Sequence, residues 1–368
     1  MRLKKFIDCY IPTETCNLRC QYCYITQQRK FASKLAQFEH DPKEIRLALS
    51  VNRLGGVCML NFCAGGETLL GEEVIDVIKE LLEEGHFLSV VTNGTLSARF
   101  DQIVKFPPAL LERLFIKFSF HYLELLRTGL MDAFFKNIEK VRRAGSSFTV
   151  EITAADELIP FIEDIKSLSM DQLGVLPHLS IARDDRTRMI EILSDLSFED
   201  YKKTWSDFES DLFDFKASIF YEKRKEFCYA GDWSLYINLA TGSVRQCYCG
   251  KLLDNIYEDI EKPIHTEAIG GHCSLPHCYN GHAFLTLGSI PELVTPTYAQ
   301  MRDRVDKMGR HWLQPTMRAF MEQKLQENNE EYSQLQKEIQ NLKGALFAAG
   351  GKFKKILRSI KNRIRRDP

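Results

Sequence analysis

Residues 6–24 read FIDCYIPTETCNLRCQYCY, a stretch that joins a predicted β-strand to three closely spaced cysteines. The run FIDCYI is short and rich in β-branched and aromatic residues, which favours a strand. Cys16, Cys20 and Cys23 follow it, separated by three residues and then by two. The stretch therefore predicts a strand that delivers a group of thiols to its carboxyl end.

Five further runs are strand-like, and helical patterns separate several of them. These runs are VCMLNF (57–62), FLSVVT (87–92), LFIKFSF (114–120), FTVEIT (148–153) and VLPHLSI (175–181). The helical patterns include 74–85 and 134–145, and each ends in a glycine that favours a helix stop. Strands that alternate with helices predict βαβ units and a parallel sheet. The expected fold is α/β, with a partial (β/α)6 TIM-like barrel.

Polar and glycine-rich groups follow each of the first four predicted strands. In chain order they are CNLRCQYCY (16–24), CAGGET (63–68), TNG (92–94) and His121. Parallel α/β folds place their chemistry at the carboxyl ends of the strands. We therefore expect these groups on one rim, with His121 as a hydrogen-bonded histidine of that rim rather than a catalyst.

Composition narrows the class of protein. The chain has 368 residues and a formal net charge of −1, so no global field indicates a nucleic acid partner. Neither a signal peptide nor an apolar run of about 18 residues is present, which predicts a cytoplasmic protein. Without an export signal, eleven cysteines indicate metal binding or catalysis rather than a disulfide framework.

A second group of cysteines lies in the last third of the chain. The segment between Cys228 and Cys247 reads as a β-hairpin that turns near Gly242 and brings the two cysteines together. The motif HCSLPHC then adds Cys273 and Cys278. Four thiolates suit either tetrahedral zinc or a fully ligated [4Fe–4S] cluster, and the spacing does not choose between them.

The N-terminal group resembles the CX3CX2C signature of the radical S-adenosylmethionine (SAM) superfamily, including the aromatic Tyr22 before the last cysteine. GGET (65–68) resembles the GGE motif of that family, which follows the second strand, and TNG (92–94) resembles a further family pattern. Thr68 departs from the pattern, because proline is common there. The resemblance covers roughly residues 5–185 and implies a radical SAM enzyme.

This resemblance implies a [4Fe–4S] cluster on Cys16, Cys20 and Cys23, with one iron left to bind the amine and carboxylate of SAM. Reductive cleavage of SAM would yield a 5′-deoxyadenosyl radical that abstracts hydrogen from a substrate. A reductant such as flavodoxin or ferredoxin would supply the electron. The resemblance assigns exposed backbone to Gly65 and Gly66, the SAM ammonium to Glu67, the ribose to Thr92, Asn93 and Ser119, and the SAM carboxylate to Arg183.

The spacing CX13GX4C from Cys228 to Cys247 resembles the opening of the SPASM/twitch extension of radical SAM enzymes. The full SPASM motif continues with cysteines that this chain lacks. The resemblance therefore implies a twitch-like domain with one auxiliary [4Fe–4S] cluster, on Cys228, Cys247, Cys273 and Cys278. Cys249 is a competing ligand. Full ligation by four cysteines indicates redox chemistry or electron relay.

We expect the chain to divide into five segments. They are a radical SAM core (1–185), a helical connector (186–227), a twitch-like iron–sulfur domain (228–295), a helical, heptad-like segment (296–349) and a basic amphipathic tail (350–368). A single long helix is predicted over 320–346. The tail can lie on an anionic membrane surface, and a solvated or partner-packed tail is the alternative.

The sequence indicates the substrate class only weakly. The cysteines begin at Cys16, which leaves no room before them for a peptide-recognition domain. This favours a small or carbohydrate-like substrate. The alternatives are a peptide or protein maturase and, in another class, a non-enzymatic binding protein stabilised by zinc. No residue is assigned as a catalytic acid or base.

Overall fold

The computed structural model describes residues 1–32, 35, 38–248 and 250–347, and it contains all six predicted strands in the expected order. They are β1 (Lys5–Ile11), β2 (Cys58–Ala64), β3 (Phe87–Thr92), β4 (Leu114–Ser119), β5 (Ser147–Ala154) and β6 (His178–Ile181). Each strand pairs in parallel with the next along the chain. The partial α/β barrel is thereby confirmed.

Three later strands extend this sheet beyond β1. They are β7 (Ser234–Asn238), β8 (Ser243–Arg245) and β9 (Leu252–Asn255). Strand β7 runs parallel to β1, whereas β8 and β9 are antiparallel additions, so the sheet order is β6-β5-β4-β3-β2-β1-β7-β8-β9. The predicted hairpin is the β7–β8 pair, and Gly242 adopts a positive φ of 75° in its turn.

Helices connect the strands and cover one face of the sheet. Their bounds are α1 (Tyr24–Gln28), α2 (Pro42–Ala48), α3 (Val51–Leu54), α4 (Glu73–Glu84), α5 (Ser97–Ile103), α6 (Pro108–Leu111), α7 (Tyr122–Thr128), α8 (Met131–Arg143), α9 (Ile162–Gln172), α10 (Phe198–Trp205), α11 (Asp211–Ile219), α12 (Gly281–Phe284) and α13 (Pro315–Met321). Residues 334–347 are also helical. Helix α4 stops at Gly85 in the left-handed region, as its sequence predicts.

The convex face of the barrel sheet is apolar across its width. Side chains alternate between the two faces along each strand. The convex set consists of Ile7, Cys9, Leu60, Phe62, Val90, Ile116, Phe118, Val150 and Leu179, all buried. Val74 and Ile78 of α4 and Phe134 of α8 belong to the same cluster. This packing of helices on strands is the main hydrophobic core.

The concave face is apolar only at the amino ends of the strands. The residues concerned are Phe6, Met59, Phe87 and Phe115. Aromatic side chains from later in the chain cover them. Phe284 of α12 meets Phe6 edge-on at 5.5 Å, and Phe320 of α13 stacks on Phe87 at 3.7 Å, both between ring centroids. The C-terminal third of the chain therefore closes the lower end of the barrel.

Two residues further along these strands, the concave face becomes polar. This layer contains Asp8, Asn61, Ser89 and Lys117, with Glu151 of β5 and Ser180 of β6 beside them. Ser89 Oγ donates to Asn61 Oδ1 at 2.8 Å, and Asn61 Nδ2 donates to Asp8 Oδ1 at 2.7 Å. A polar layer thus separates the aromatic floor from the carboxyl ends of the strands.

The single helix predicted over 320–346 is wrong. Helix α13 ends at Met321, a short 3-10 helix covers Leu325–Glu327, and α-helix resumes only from residue 334. Leu325 is fully buried, and its N–H donates to the Leu287 carbonyl at 2.7 Å, whereas Leu335 is 66% exposed. The heptad pattern failed because its first leucine packs into the lower core, which draws the backbone out of helical geometry.

Two predictions concern residues outside the described ranges. The basic amphipathic tail (350–368) lies beyond them, and so does Cys249, the competing ligand. Among the described helices, none is long and apolar enough to cross a membrane.

Candidate functional site

A cavity at the carboxyl ends of β1 to β4 gathers most of the predicted site residues. Its lining includes the three N-terminal cysteines and the loop after β2, together with the ends of β3 and β4. The predicted residues among its walls are Cys16, Cys20, Cys23, Gly65, Gly66, Glu67, Thr92, Asn93, Ser119 and His121. Four loops distant in sequence therefore meet where the parallel-sheet argument expects them.

Arg183 occupies a different position. It follows β6 and lines a second, smaller cavity together with Lys216, His277 and Cys278. Its guanidinium donates to the Tyr279 carbonyl at 3.3 Å and lies 3.7 Å from an Asp185 carboxylate oxygen. The contact of Arg183 with the SAM carboxylate stays a prediction.

Glu67 ties the loop after β2 to the end of β3. Its Oε1 accepts from Leu69 N–H at 3.0 Å and from Thr92 Oγ1 at 2.6 Å, and its Oε2 accepts from Asn93 N–H at 2.7 Å. Burial raises the pKa of Glu67, while these hydrogen bonds act in the opposite direction. A carboxylate has about four lone-pair sites, so roughly one remains for a ligand ammonium.

Gly66 is required by contact within the chain. A Cβ at this position would stand 2.0 Å from the Thr15 carbonyl oxygen, which no side chain can occupy. The loop pairs there with the segment leading to the cysteines, because Gly66 N–H donates to the Thr13 carbonyl and Glu67 N–H to the Thr15 carbonyl. The sequence prediction explained the glycines by ligand approach, and the structure adds this contact between two loops.

Asn93 joins the end of β3 to the cysteine loop. Its Nδ2 donates to Asn17 Oδ1 at 2.7 Å and lies 3.8 Å from Cys16 Sγ. Leu18 N–H also points at Cys16 Sγ, at 3.4 Å. Hydrogen-bond donors aimed at a cysteine sulfur favour its thiolate form and tune an iron–sulfur centre.

His121 is a half-buried, hydrogen-bonded rim histidine, as the sequence analysis expects. Tyr22 Oη lies 2.7 Å from His121 Nδ1, and burial lowers the pKa of His121 to about 4. The imidazole is therefore neutral near pH 7. When Tyr22 donates to Nδ1, the remaining ring nitrogen carries the proton and is a donor for the cavity.

The three N-terminal thiols share one buried environment. Burial raises the pKa of Cys16 to about 11, and it raises the pKa of both Cys20 and Cys23. The electrostatic effect of Cys23 on both other thiols shows that the three converge. Within the described ranges, no three or more His, Cys, Asp or Glu side chains are grouped as ligands of a single metal ion.

The C-terminal cysteines also converge. Burial raises the pKa of Cys228 well above its usual range, and the neighbouring thiols of Cys278, Cys247 and Cys273 raise it further. The β7–β8 hairpin carries Cys228 and Cys247 to the segment that holds the other two, as its sequence predicts. The four thiols are therefore near enough to interact electrostatically, and Cys278 lines the second cavity.

Sequence reasoning missed several residues that hold the site together. Tyr24 Oη donates to the Gly65 carbonyl at 2.5 Å, and Asn17 Nδ2 donates to Thr95 Oγ1 at 2.8 Å. Glu124 of α7 accepts from Arg19 N–H at 2.6 Å. Asn17 could have been suspected as a polar residue between two cysteines. No sequence signal relates Glu124 to the cysteine loop.

Comparison with known proteins agrees with this geometry. Residues 10–157 match the family model described as the radical SAM superfamily. No curated protein is significantly similar to this chain in sequence.

Three solved structures are among those that match this chain. The anSMEcpe structure with bound AdoMet has 15% identity and a TM-score of 0.50, over 69% of this chain and 79% of that one. Streptococcus suis SuiB bound to S-adenosylmethionine has 13% identity and a TM-score of 0.49, over 70% of this chain and 64% of that one. BtrN in complex with AdoMet and 2-DOIA has 14% identity and a TM-score of 0.39, over 71% and 82%. This chain therefore spans less than two thirds of SuiB, and its likeness to anSMEcpe shows a shared fold.

Proposed function

Because this chain belongs to the radical SAM superfamily, we propose that it is an enzyme that cleaves SAM reductively and removes hydrogen from an organic substrate. The observation that carries the proposal is the single cavity lined by three cysteines of one loop, by the Gly-Gly-Glu loop and by the end of β3. These loops are far apart in the sequence, and ordinary packing does not require three thiols to converge on a cavity.

The residues present fit a [4Fe–4S] cluster. Cys16, Cys20 and Cys23 would hold three irons, and their raised pKa values mean that loading releases protons. When bound, the cluster supplies the electron that breaks the sulfonium C–S bond of SAM, and the nucleoside radical then takes hydrogen from the substrate. The match of residues 10–157 to the radical SAM family model favours this cluster over zinc.

The chain's own groups would bind and orient SAM. The spare lone pair of Glu67 suits the ammonium, and the buried location of this carboxylate strengthens the attraction. Thr92, Asn93 and Ser119 line the same cavity and remain the proposed ribose contacts. His121 would present a neutral N–H donor to the cavity.

We further propose one auxiliary [4Fe–4S] cluster on Cys228, Cys247, Cys273 and Cys278. The convergence of these four thiols supports it. Full ligation by protein leaves no iron for substrate, so the cluster would accept or relay an electron. The substrate is proposed to be small or carbohydrate-like, with a peptide as the alternative.

The remaining proposals concern partners and location. A flavodoxin- or ferredoxin-type reductant would supply the electron, and the reaction would take place in the cytoplasm. The basic tail would provide peripheral contact with an anionic membrane surface.

The test is anaerobic reconstitution followed by iron analysis and reduction with dithionite in the presence of SAM. We expect about eight irons per chain, from two [4Fe–4S] clusters, and formation of 5′-deoxyadenosine. Cys20→Ala should lose about four irons and all 5′-deoxyadenosine. The control, Cys58→Ala, removes a fully buried thiol outside both groups and should keep both properties. A reconstituted wild type that forms no 5′-deoxyadenosine would sink the proposal.

The auxiliary cluster has its own test. The double variant Cys273→Ala/Cys278→Ala should lose about four irons but still cleave SAM. An unchanged iron content would contradict the assignment of these cysteines.

A further inference from the structure

The polar layer of the concave face contains two lysines that lack a carboxylate partner. Lys117 of β4 is 8% exposed and, among the described residues, has neither a hydrogen bond nor an ion pair through its ammonium. Lys216 reaches the same layer from α11, is 9% exposed, and donates only to Ser180 Oγ at 2.7 Å. A buried charge without a counter-charge is costly, so these two positions call for an explanation.

The carboxylates of this layer already have other partners. Glu151 forms an ion pair with the fully buried Arg302. Asp8 accepts from the side-chain amides of Asn61 at 2.7 Å and Asn280 at 3.1 Å. Neither acid forms a hydrogen bond or a close ion pair with a lysine, although Lys117 and Lys216 act electrostatically on Glu151 at longer range. The layer holds three basic side chains, Lys117, Lys216 and Arg302, and two acidic ones, Asp8 and Glu151.

Nearby buried nitrogens add to this picture: those of Arg302 are donors, whereas His282 Nδ1 is a donor or an acceptor according to the tautomer. Among the described residues, Nε and Nη2 of Arg302 and Nδ1 of His282 are buried without a hydrogen-bond partner. Burial and the positive charge of Arg183 lower the pKa of Lys216 to about 7. Lys216 and His282 line the second, smaller cavity, so these groups face a space in which an acceptor would satisfy them.

Lys117 stands directly below the candidate cofactor cavity, and Lys216 lines the second, smaller cavity. Lys117 lies two residues before Ser119 on the same face of β4, and it is in register with Val91 of β3. Ser119 and Val91 both line the cavity. A molecule anchored at Lys117 would therefore extend upward along the concave face toward the place where a SAM-derived radical forms.

We propose that the substrate carries an anionic group, a carboxylate or a phosphate, which binds between Lys117 and Lys216. This inference rests on the proposed function, because it names the substrate class of the same site. An oxyanion offers several acceptor lone pairs to the two ammonium groups and the nearby unpartnered donors. Its charge would neutralise the excess in the layer.

The experiment titrates reconstituted, SAM-loaded enzyme with inorganic phosphate and, separately, with malonate, by isothermal titration calorimetry. We expect one of the two anions to bind, which identifies the group as phosphate or carboxylate. Lys117→Met and Lys216→Met should each weaken that binding at least about tenfold, because a charge-assisted contact is lost. Lys79→Met, at an exposed position of α4, is the matched control and should bind like the wild type.

Measurements of Tm and of SAM affinity show whether a variant that binds the anion weakly is still folded and still binds SAM. Removing an unpaired buried ammonium should leave the Tm unchanged or raise it. Unlike Lys216→Met, Lys216→Arg should bind the anion as the wild type does. SAM affinity, measured in parallel, should stay within about twofold, far less than the tenfold step for the anion (1.4 kcal/mol).

Three results would overturn the inference: no binding of either anion by the wild type, full binding by the methionine variants, or an equal loss of SAM affinity in Lys117→Met. The last result would assign the ammonium to SAM. A failure of the proposed function is distinguishable, because it appears as absent 5′-deoxyadenosine in the wild type, whatever the anion titration shows.

Discussion

The two faces of the barrel sheet are built from the same strands but from opposite chemistry. On β4, Ile116 and Phe118 point to the convex side and pack under helices, while Lys117 between them points to the concave side. The convex face is covered by apolar side chains that pack against the helices. The concave face holds an aromatic floor, a polar layer with unpartnered donors, and the candidate cofactor cavity above them.

The difference shows that the convex face stabilises the fold, whereas unsatisfied groups of the concave face lower its stability. Buried apolar side chains each contribute about 1.5–3 kcal/mol, and the convex face consists of little else. Buried cations and unpartnered nitrogens lower stability unless a ligand satisfies them. Unsatisfied buried groups of this kind are expected at a functional site.

Phe118→Ala tests the convex face and should have the largest effect on stability. Its ring packs against Phe100 and Phe134, with ring centroids 5.4 and 5.8 Å away, so truncation leaves a cavity. We expect the free energy of unfolding to fall by about 3–5 kcal/mol in urea denaturation. Ser89→Ala on the concave face, which removes one hydrogen bond to Asn61, should cost only about 1 kcal/mol. Equal losses would contradict the contrast between the faces.

Arg302→Met tests the paired charges of the concave face. It leaves the Glu151 carboxylate buried without its main partner, and such a loss costs about 3–5 kcal/mol. Burial raises the pKa of Glu151, but Arg302, Lys117 and Lys216 together bring it below its usual value. The two lysines remain in the variant, so we expect the lower end of that range, about 3 kcal/mol.

The double variant Arg302→Met/Glu151→Leu should recover most of that stability, because the orphaned carboxylate is removed as well. Thermal unfolding of both variants and the wild type measures the recovery. A double variant no more stable than Arg302→Met would show that the pair is not an independent unit.

His178 gives the smallest of the three effects, through pH. Burial and the positive charge of Arg304 lower its pKa to about 3, compared with about 6.5 in an unfolded chain. Below pH 6.5 the His178 imidazole is protonated in the unfolded chain but stays neutral in the folded protein. The free energy of unfolding therefore falls as the pH falls. Each pH unit should cost about 1.4 kcal/mol until the folded pKa is reached.

The measurement is the urea midpoint at pH 7.5 and pH 5.5. His178→Gln should reduce the loss between these values by about 1 kcal/mol, since the amide can still donate to the Asp303 carbonyl. His272→Gln, at an exposed position, should leave the pH dependence unchanged. If both variants behaved alike, His178 would not be the titrating group.

Local patterns predicted much of the barrel, and long-range contacts explain the errors. Helix α4 ends at the predicted Gly85, and all six strands appear close to their predicted bounds. Hydrophobic periodicity and the residues that end a helix or strand are local properties of the sequence. The long C-terminal helix failed, because burial of Leu325 in the lower core overrode its heptad spacing. No local pattern reports which core a leucine will enter.

The sequence by itself determined the parallel sheet and the convergence of the cysteine, glycine and TNG loops on one rim. It also determined the hairpin that brings Cys228 close to Cys247. These follow from strand polarity and turn chemistry, which act over short distances. Only the tertiary structure decided that Gly66 is needed by the Thr15 backbone and that Arg183 lines a separate cavity. It also decided that Lys117 lies buried with no hydrogen bond or close ion pair to any residue that the structure describes. Such facts depend on which distant segments close the concave face, and neither the period nor the spacing of residues carries that information.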